Sequence, residues 1–172
     1  MVGKSTENLA KLMATENITV EFQKISTPAF DLSTRTLYLP LWKNISKETY
    51  NMLVAHEVSH ALYTPTEEWN EAANVSKKRR LAVNVVEDSR IEKLIIKKYP
   101  GCRSDFLGAY KELHEKDFFD FSKYDMDDRE LLDRINLYYK SYGNFYVPFS
   151  EDEKIWINRI DNISSFAEAL EI

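Results

Sequence analysis

The segment His56-Glu57-Val58-Ser59-His60 combines residue types and a spacing that suit zinc chemistry. Residues four apart on an α-helix lie one turn above each other, with Cβ atoms about 5–6 Å apart. Two imidazoles at that spacing can both reach one zinc ion at about 2.0–2.1 Å. Glu57 lies beside them and can take a proton from a zinc-bound water, whose pKa the metal lowers to about 7. The motif therefore predicts a hydrolytic site with His56 and His60 as ligands and Glu57 as catalytic base.

A catalytic zinc ion usually has three protein ligands and one open position, so a third ligand is needed. His114 is a poor candidate, because it lies far downstream in a charged stretch where we expect an exposed surface histidine. A helical projection of the later acidic segment groups Asp88 with Asn84 and Glu92 on one side. Asp88 is therefore the favoured third ligand, and Glu92 would accept a hydrogen bond from a ligand histidine. Glu87 falls on the flank of the helix and competes because His₂Glu zinc sites are frequent.

Both groups of residues also have simpler interpretations. His56 and His60 could be two surface histidines on a solvated helix face. The acids of the later segment could form structural ion pairs with Arg79, Arg80 and Arg90. A closed site with four protein ligands would make the chain a catalytically silent zinc-binding module that acts as an assembly or adaptor partner, whereas an open fourth position would support an enzyme.

Two predicted helices must position these residues. Apolar residues recur at three- and four-residue steps from Lys47 to Tyr63, after a plausible N-cap at Ser46 and before Pro65. A second helix is predicted from about Val75 to Tyr99, with lysines in its last turn and Pro100-Gly101 after it. The HExxH motif and the acidic segment therefore each fall on a helix, as a shared metal site requires.

The rest of the chain predicts a small N-terminal sheet and further helices. A short helix is predicted at 5–15, and alternating apolar residues predict strands at 18–23, 29–32 and 36–40. The third strand could be an edge strand that holds an extended peptide by β-augmentation, or simply one more strand of the sheet. Helical patterns recur at 106–113 and 131–138, and Ser150-Glu151-Asp152-Glu153 matches a capping box before a last helix.

These elements predict an α+β fold that is mostly α-helical. Residues 1–103 would form the metallopeptidase core, with the sheet and the two zinc-site helices. Residues 104–172 would form a helical C-terminal region of the same domain or of a truncated one. Because the chain stops within a helical pattern at Ala169-Leu170-Glu171-Ile172, we expect a fragment or the first domain of a longer protein.

Composition narrows the class of protein further. The 172 residues suit one compact domain, and the net charge of -5 argues against a nucleic-acid-binding surface, which needs basic residues. The single cysteine allows neither an internal disulfide nor a thiolate zinc site. No export signal and no apolar run of membrane-spanning length occur in the sequence. We therefore expect a cytoplasmic protein that contacts neither membrane nor nucleic acid.

The segments HEVSHALYTP and NVVEDSRIEKL, in this order, resemble a known family. It comprises the metallopeptidase-like domains that accompany von Willebrand factor A domains, including cobalt-chelatase-subunit-like proteins and versions in tailed bacteriophages. The preceding FDLSTRTLYLPLW segment also resembles the phage members, so that the resemblance covers about residues 17–100.

The resemblance implies a zincin-like fold with zinc bound by His56, His60 and a helix-borne acid. It also implies a peptide or protein substrate, a von Willebrand factor A-type partner domain, and a bacterial or phage-infected cytoplasm. The chain itself has no DxSxS metal-adhesion motif, so the binding role of that domain does not carry over.

Overall fold

The computed structural model describes residues 2–15, 17–31 and 33–172. Within these ranges the fold is α+β and mostly helical, as predicted, with one three-stranded sheet. The helices are α1 (Val2–Ala14), α2 (Lys47–Tyr63), α3 (Thr66–Val75), α4 (Lys77–Lys98), α5 (Cys102–Glu115), α6 (Leu131–Ser141), α7 (Glu151–Asp161) and α8 (Phe166–Leu170), with a 3₁₀ turn at Met126–Asp128. The strands are β1 (Thr19–Gln23), β2 (Ala29–Asp31) and β3 (Thr36–Pro40). None of the helices in these ranges has the length and apolar character needed to cross a membrane.

The strand β3 lies in the middle of the sheet. The order is β1-β3-β2, and β3 pairs parallel with β1 and antiparallel with β2. The interpretation of 37–39 as an edge strand is therefore wrong, because both edges of β3 are already paired. Its apolar sequence reflects this central place, since Leu37 and Leu39 are fully buried. Leu32, expected at the end of β2, lies outside the described residues.

The chain divides into two compact units. The first comprises Met1–Thr64 and Ile91–Ala109, and the second comprises Pro65–Arg90 and Tyr110–Ile172. The first therefore contains the sheet, α1 and α2, and the second contains α3 and α6 to α8. The helices α4 and α5 each contribute residues to both units.

The helix α2 is the central helix of the first unit. It begins after Ser46, whose hydroxyl accepts a hydrogen bond from the Thr49 backbone N–H at 3.1 Å. The helix packs against α1, β2 and β3, and its buried residues are Thr49, Tyr50, Met52, Leu53, Val54, Ala55, Glu57, Val58 and Ser59. The Tyr50 hydroxyl donates to the Pro40 carbonyl at 3.0 Å and so joins α2 to the end of β3. Because α2 is buried over most of its surface, packing holds the backbone of the HExxH motif in place.

The second unit packs its helices around the first half of α4. Val85 and Val86 share an apolar cluster with Ile135 of α6 and Ile160 of α7. Completely burying a side chain of this size contributes about 1.5–3 kcal/mol. A smaller cluster joins Val83, Ala72 of α3 and Phe166 of α8. The apolar face of α4 therefore organises this unit, while other faces of the same helix carry its charged residues.

Candidate metal centre

The two motif histidines lie one turn apart on α2. Their ring centroids are 5.0 Å apart and the ring planes meet at 79°. Both rings are half-buried, and Glu57, which follows His56, is only 8% exposed. The alternative of two surface histidines on a solvated face therefore does not describe this helix, whose neighbouring residues are buried.

Each histidine has a hydrogen-bond partner at its Nδ1 atom. His56 Nδ1 lies 3.0 Å from Glu92 Oε1, and His60 Nδ1 lies 3.1 Å from Thr64 Oγ1. An ionised carboxylate only accepts hydrogen bonds, so His56 donates to it through Nδ1–H, and in the neutral imidazole Nε2 then carries the lone pair. The predicted contact of Glu92 with one of the two motif histidines is therefore present, at His56. Such outer partners fix the tautomer and orientation of metal-binding imidazoles.

Sequence analysis did not identify Thr64, although its position offers a signal. Thr64 is the C-cap of α2, and its backbone N–H donates to the His60 carbonyl at 3.0 Å. It follows His60 by four residues, which is the spacing of neighbours on one helix face. A hydroxyl residue one turn after a ligand histidine, at the end of its helix, is therefore a candidate partner.

A third potential ligand, Asp88, lies close to both histidines. One ligand atom from each of His56, His60 and Asp88 lies within 4.8 Å of the other two. Asp88 is 5% exposed and precedes Glu92 by one turn of the continuous helix α4. Helix geometry therefore places Asp88 next to the residue that contacts His56. These three residues form a candidate metal-binding group.

The chemistry of this group fits zinc, which binds imidazole nitrogens and carboxylate oxygens. Ligand atoms around a tetrahedral zinc at normal bond lengths are about 3.3–3.4 Å apart. The present separations of at most 4.8 Å therefore require the side chains to close by no more than about 1.5 Å.

The carboxylate of Asp88 is held by two further residues. Lys140 Nζ and Asn84 Nδ2 each lie 3.2 Å from Asp88 Oδ2. Asn84 was predicted on the same helix side, whereas Lys140 comes from α6, 52 residues away in sequence. No spacing or periodicity in the sequence indicates that pair. The negative charge of Asp88 thus has a cationic partner from another helix.

Glu87, the other candidate ligand, bonds instead to Arg90. Arg90 Nε donates to Glu87 Oε2 at 2.7 Å, and Arg90 Nη2 donates to Glu87 Oε1 at 2.8 Å. Glu87 is completely buried and the Arg90 side chain is 6% exposed. For this residue the simpler interpretation, a structural ion pair, therefore describes the contacts. Glu87 is not a member of the group formed by Asp88 and the two histidines.

Two other residues with metal-binding side chains also lie outside the group. His114 packs in the second unit against Phe121 and Phe145, with ring centroids 4.5 and 4.6 Å away. The expectation of an exposed surface histidine is wrong, because His114 is half-buried and its imidazole packs against these two rings. Cys102 begins α5, and burial raises the pKa of its thiol above the usual value. A protonated, half-buried thiol is a weak ligand.

No known family model, curated protein or solved structure matches this chain.

Proposed function

We propose that this chain is a zincin-like, zinc-dependent metallopeptidase domain. His56, His60 and Asp88 would bind the metal ion, and Glu57 would serve as general base. The observation that carries the proposal is the proximity of two imidazoles and one carboxylate on two adjoining helices. The sequence resemblance to metallopeptidase-like domains of bacteria and tailed phages supports it independently, since it rests on residue order and type.

The outer contacts of the histidines also favour a metal site. With the Glu92 carboxylate at Nδ1 of His56, the Nε2 atom of the neutral ring is the one that would bind a cation. Within the described residues the group has three members, which is the number of protein ligands in a typical catalytic zinc site. This count favours an enzyme over a closed structural site.

The expected chemistry is hydrolysis of peptide bonds. When bound, zinc would supply a Lewis acid that acidifies water and polarises a carbonyl. Glu57 would accept the proton of the attacking water and then deliver it to the departing amine. It follows His56 directly on α2, so both side chains start from the same helical turn. A peptide or protein is therefore the proposed substrate. The sequence resemblance, not the site, implies a von Willebrand factor A-type domain as the proposed partner.

One observation favours the alternative of a catalytically silent zinc-binding module. Glu57 is only 8% exposed, and a general base must be reached by water and substrate. In that alternative, the same three ligands would hold zinc to stabilise the fold, and the chain would act as an assembly or adaptor partner.

The test compares wild type with Glu57→Gln. We expect about one zinc per chain in both proteins. Cleavage of a peptide library should fall by about 10²–10⁴-fold in Glu57→Gln, because the general base is lost. Glu48→Gln is a matched control, since it makes the same change at an exposed position of the same helix.

Three outcomes would count against the enzyme. Equal cleavage by wild type and Glu57→Gln would remove Glu57 from the mechanism. Absence of zinc from purified wild type, with no zinc binding on titration, would contradict both the enzyme and the silent zinc-binding module. Stoichiometric zinc without cleavage of any library peptide would favour the silent module.

A further inference from the structure

Lys140 forms an ion pair with a residue of the proposed zinc site. Its Nζ atom lies 3.2 Å from Asp88 Oδ2, and the two side chains are 19% and 7% exposed. The pair is therefore largely removed from water, where charges interact more strongly than on a surface. Lys140 is the last residue but one of α6, while Asp88 lies near the middle of α4.

This ion pair has opposite consequences in the metal-free and metal-bound states. A buried carboxylate without a counter-charge is costly, so Lys140 stabilises the protein when no metal is present. A divalent cation on the same carboxylate would be repelled by the ammonium group, because both are positive and only a few ångströms apart. Lys140 and a metal ion are thus two cations that act on one carboxylate.

We propose that Lys140 is an internal competitor of the metal ion and sets the affinity of the site. The inference rests on the proposed zinc site and adds how loading of that site is controlled. Lys140 takes the place of the metal charge in the metal-free protein and is displaced when zinc binds. A lysine suits this role because its ammonium is a compact charge on a flexible stem. Its partial exposure gives the displaced ammonium a path to water.

The primary test is the zinc affinity of Lys140→Met at fixed pH, measured by competition with a chromophoric chelator. Methionine keeps a long unbranched side chain and removes the charge. We expect the Kd for zinc to fall about tenfold, because the repulsion is gone. Lys140→Arg keeps the charge and should show no such gain. Asn84→Ala removes a neutral hydrogen bond to the same oxygen and should not tighten binding either.

A second measurement is the melting temperature with and without zinc. Metal-free Lys140→Met should melt below metal-free wild type, because Asp88 loses its buried counter-charge. Saturating zinc should narrow this difference. If Lys140→Met does not fold without metal, Lys140→Gln provides the same comparison with a polar side chain that still hydrogen-bonds.

The outcomes separate this inference from the proposed function. Zinc that binds wild type and Lys140→Met equally, or binds Lys140→Met more weakly, overturns the inference and leaves the metal site intact. Zinc that binds Lys140→Met about tenfold more tightly than wild type supports the inference. Absence of zinc binding from both proteins overturns the proposed function and the inference together.

Discussion

Replacing Glu87 by alanine removes the counter-charge of the buried Arg90. The substitution leaves unchanged Asp88, the candidate metal ligand that follows Glu87 in sequence. The Glu87 side chain is 0% exposed and that of Arg90 is 6% exposed, and two hydrogen bonds join them. The substitution leaves the guanidinium of Arg90, whose side chain is only 6% exposed, without this carboxylate. We therefore expect a large loss of stability with little change in zinc binding.

The magnitude follows from the burial of the pair. Removing one partner of a buried ion pair costs about 3–5 kcal/mol, because the remaining charge is uncompensated. For a chain of 172 residues, each kcal/mol lowers the melting temperature by about 2–4 °C. The expected decrease is therefore about 6–20 °C. Total stabilities are typically about 5–15 kcal/mol, so the variant should remain folded at low temperature.

A double-mutant cycle provides the assay. Urea unfolding is measured for wild type, Glu87→Ala, Arg90→Met and the double variant. Since replacement of both partners by apolar groups is often nearly neutral, the double variant should recover most of the lost stability. Zinc content is measured on the same four proteins and on Asp88→Ala. We expect zinc in every protein of the cycle and a marked loss in Asp88→Ala.

Two results would refute this reasoning. Additive stability changes in the cycle would show that the two side chains do not stabilise the fold as a pair. Loss of bound zinc in Glu87→Ala, together with unchanged zinc content in Asp88→Ala, would show that Glu87 and not Asp88 is the third ligand.

Two further predictions concern the histidine partners and acid stability. Glu92→Gln and Thr64→Val should each weaken zinc binding about 10–100-fold, because Glu92 orients the ring of His56 and Thr64 orients the ring of His60. The zinc affinities are measured by competition with a chelator, and unchanged affinities would exclude this orienting role. The hydrogen bonds from the Arg134 guanidinium and a backbone N–H lower the pKa of Glu153 from 4.5 to about 2. The stabilisation from this lowered pKa is complete above about pH 4.5 and is lost as the pH falls toward 2. The difference in melting temperature between wild type and Glu153→Gln should therefore shrink as the pH falls from about 4.5 toward 2. A constant difference down to pH 2 would contradict the assignment.

Local patterns in the sequence predicted the helices better than the sheet. The helix α2 was predicted with the bounds that the structure has, because Ser46 caps it and its apolar residues recur with helical spacing. The helix α3 was not predicted, since Pro65 ended the preceding helix and was not recognised as the N-cap of the next. The order of the strands in the sheet could not be predicted either. Alternating apolar and polar residues identify a strand but do not show which strands it pairs with.

The candidate site was predictable only where its residues are close in sequence. His56 with His60, and Asp88 with Glu92, follow from the four-residue spacing on a helix. The partner of Glu87 was only one of three arginines considered, and the contact of Lys140 with Asp88 joins residues 52 apart. Such pairs depend on which helices pack against each other, and a single sequence does not show this directly.

The spacing of the site in whole helical turns limits how this protein can change during evolution. Deleting or inserting one residue turns the following part of a helix by about 100°, so one member of a four-residue pair would leave its face. Changes of length between His56 and His60, or between Asp88 and Glu92, would therefore move one of the proposed metal ligands, or its partner, to another face of its helix. The segments at 116–125 and 142–150 lie between helices and do not have this restriction. Among homologous chains that keep the proposed metal site, differences of length should therefore occur in those segments, while α2 and α4 keep their residue count.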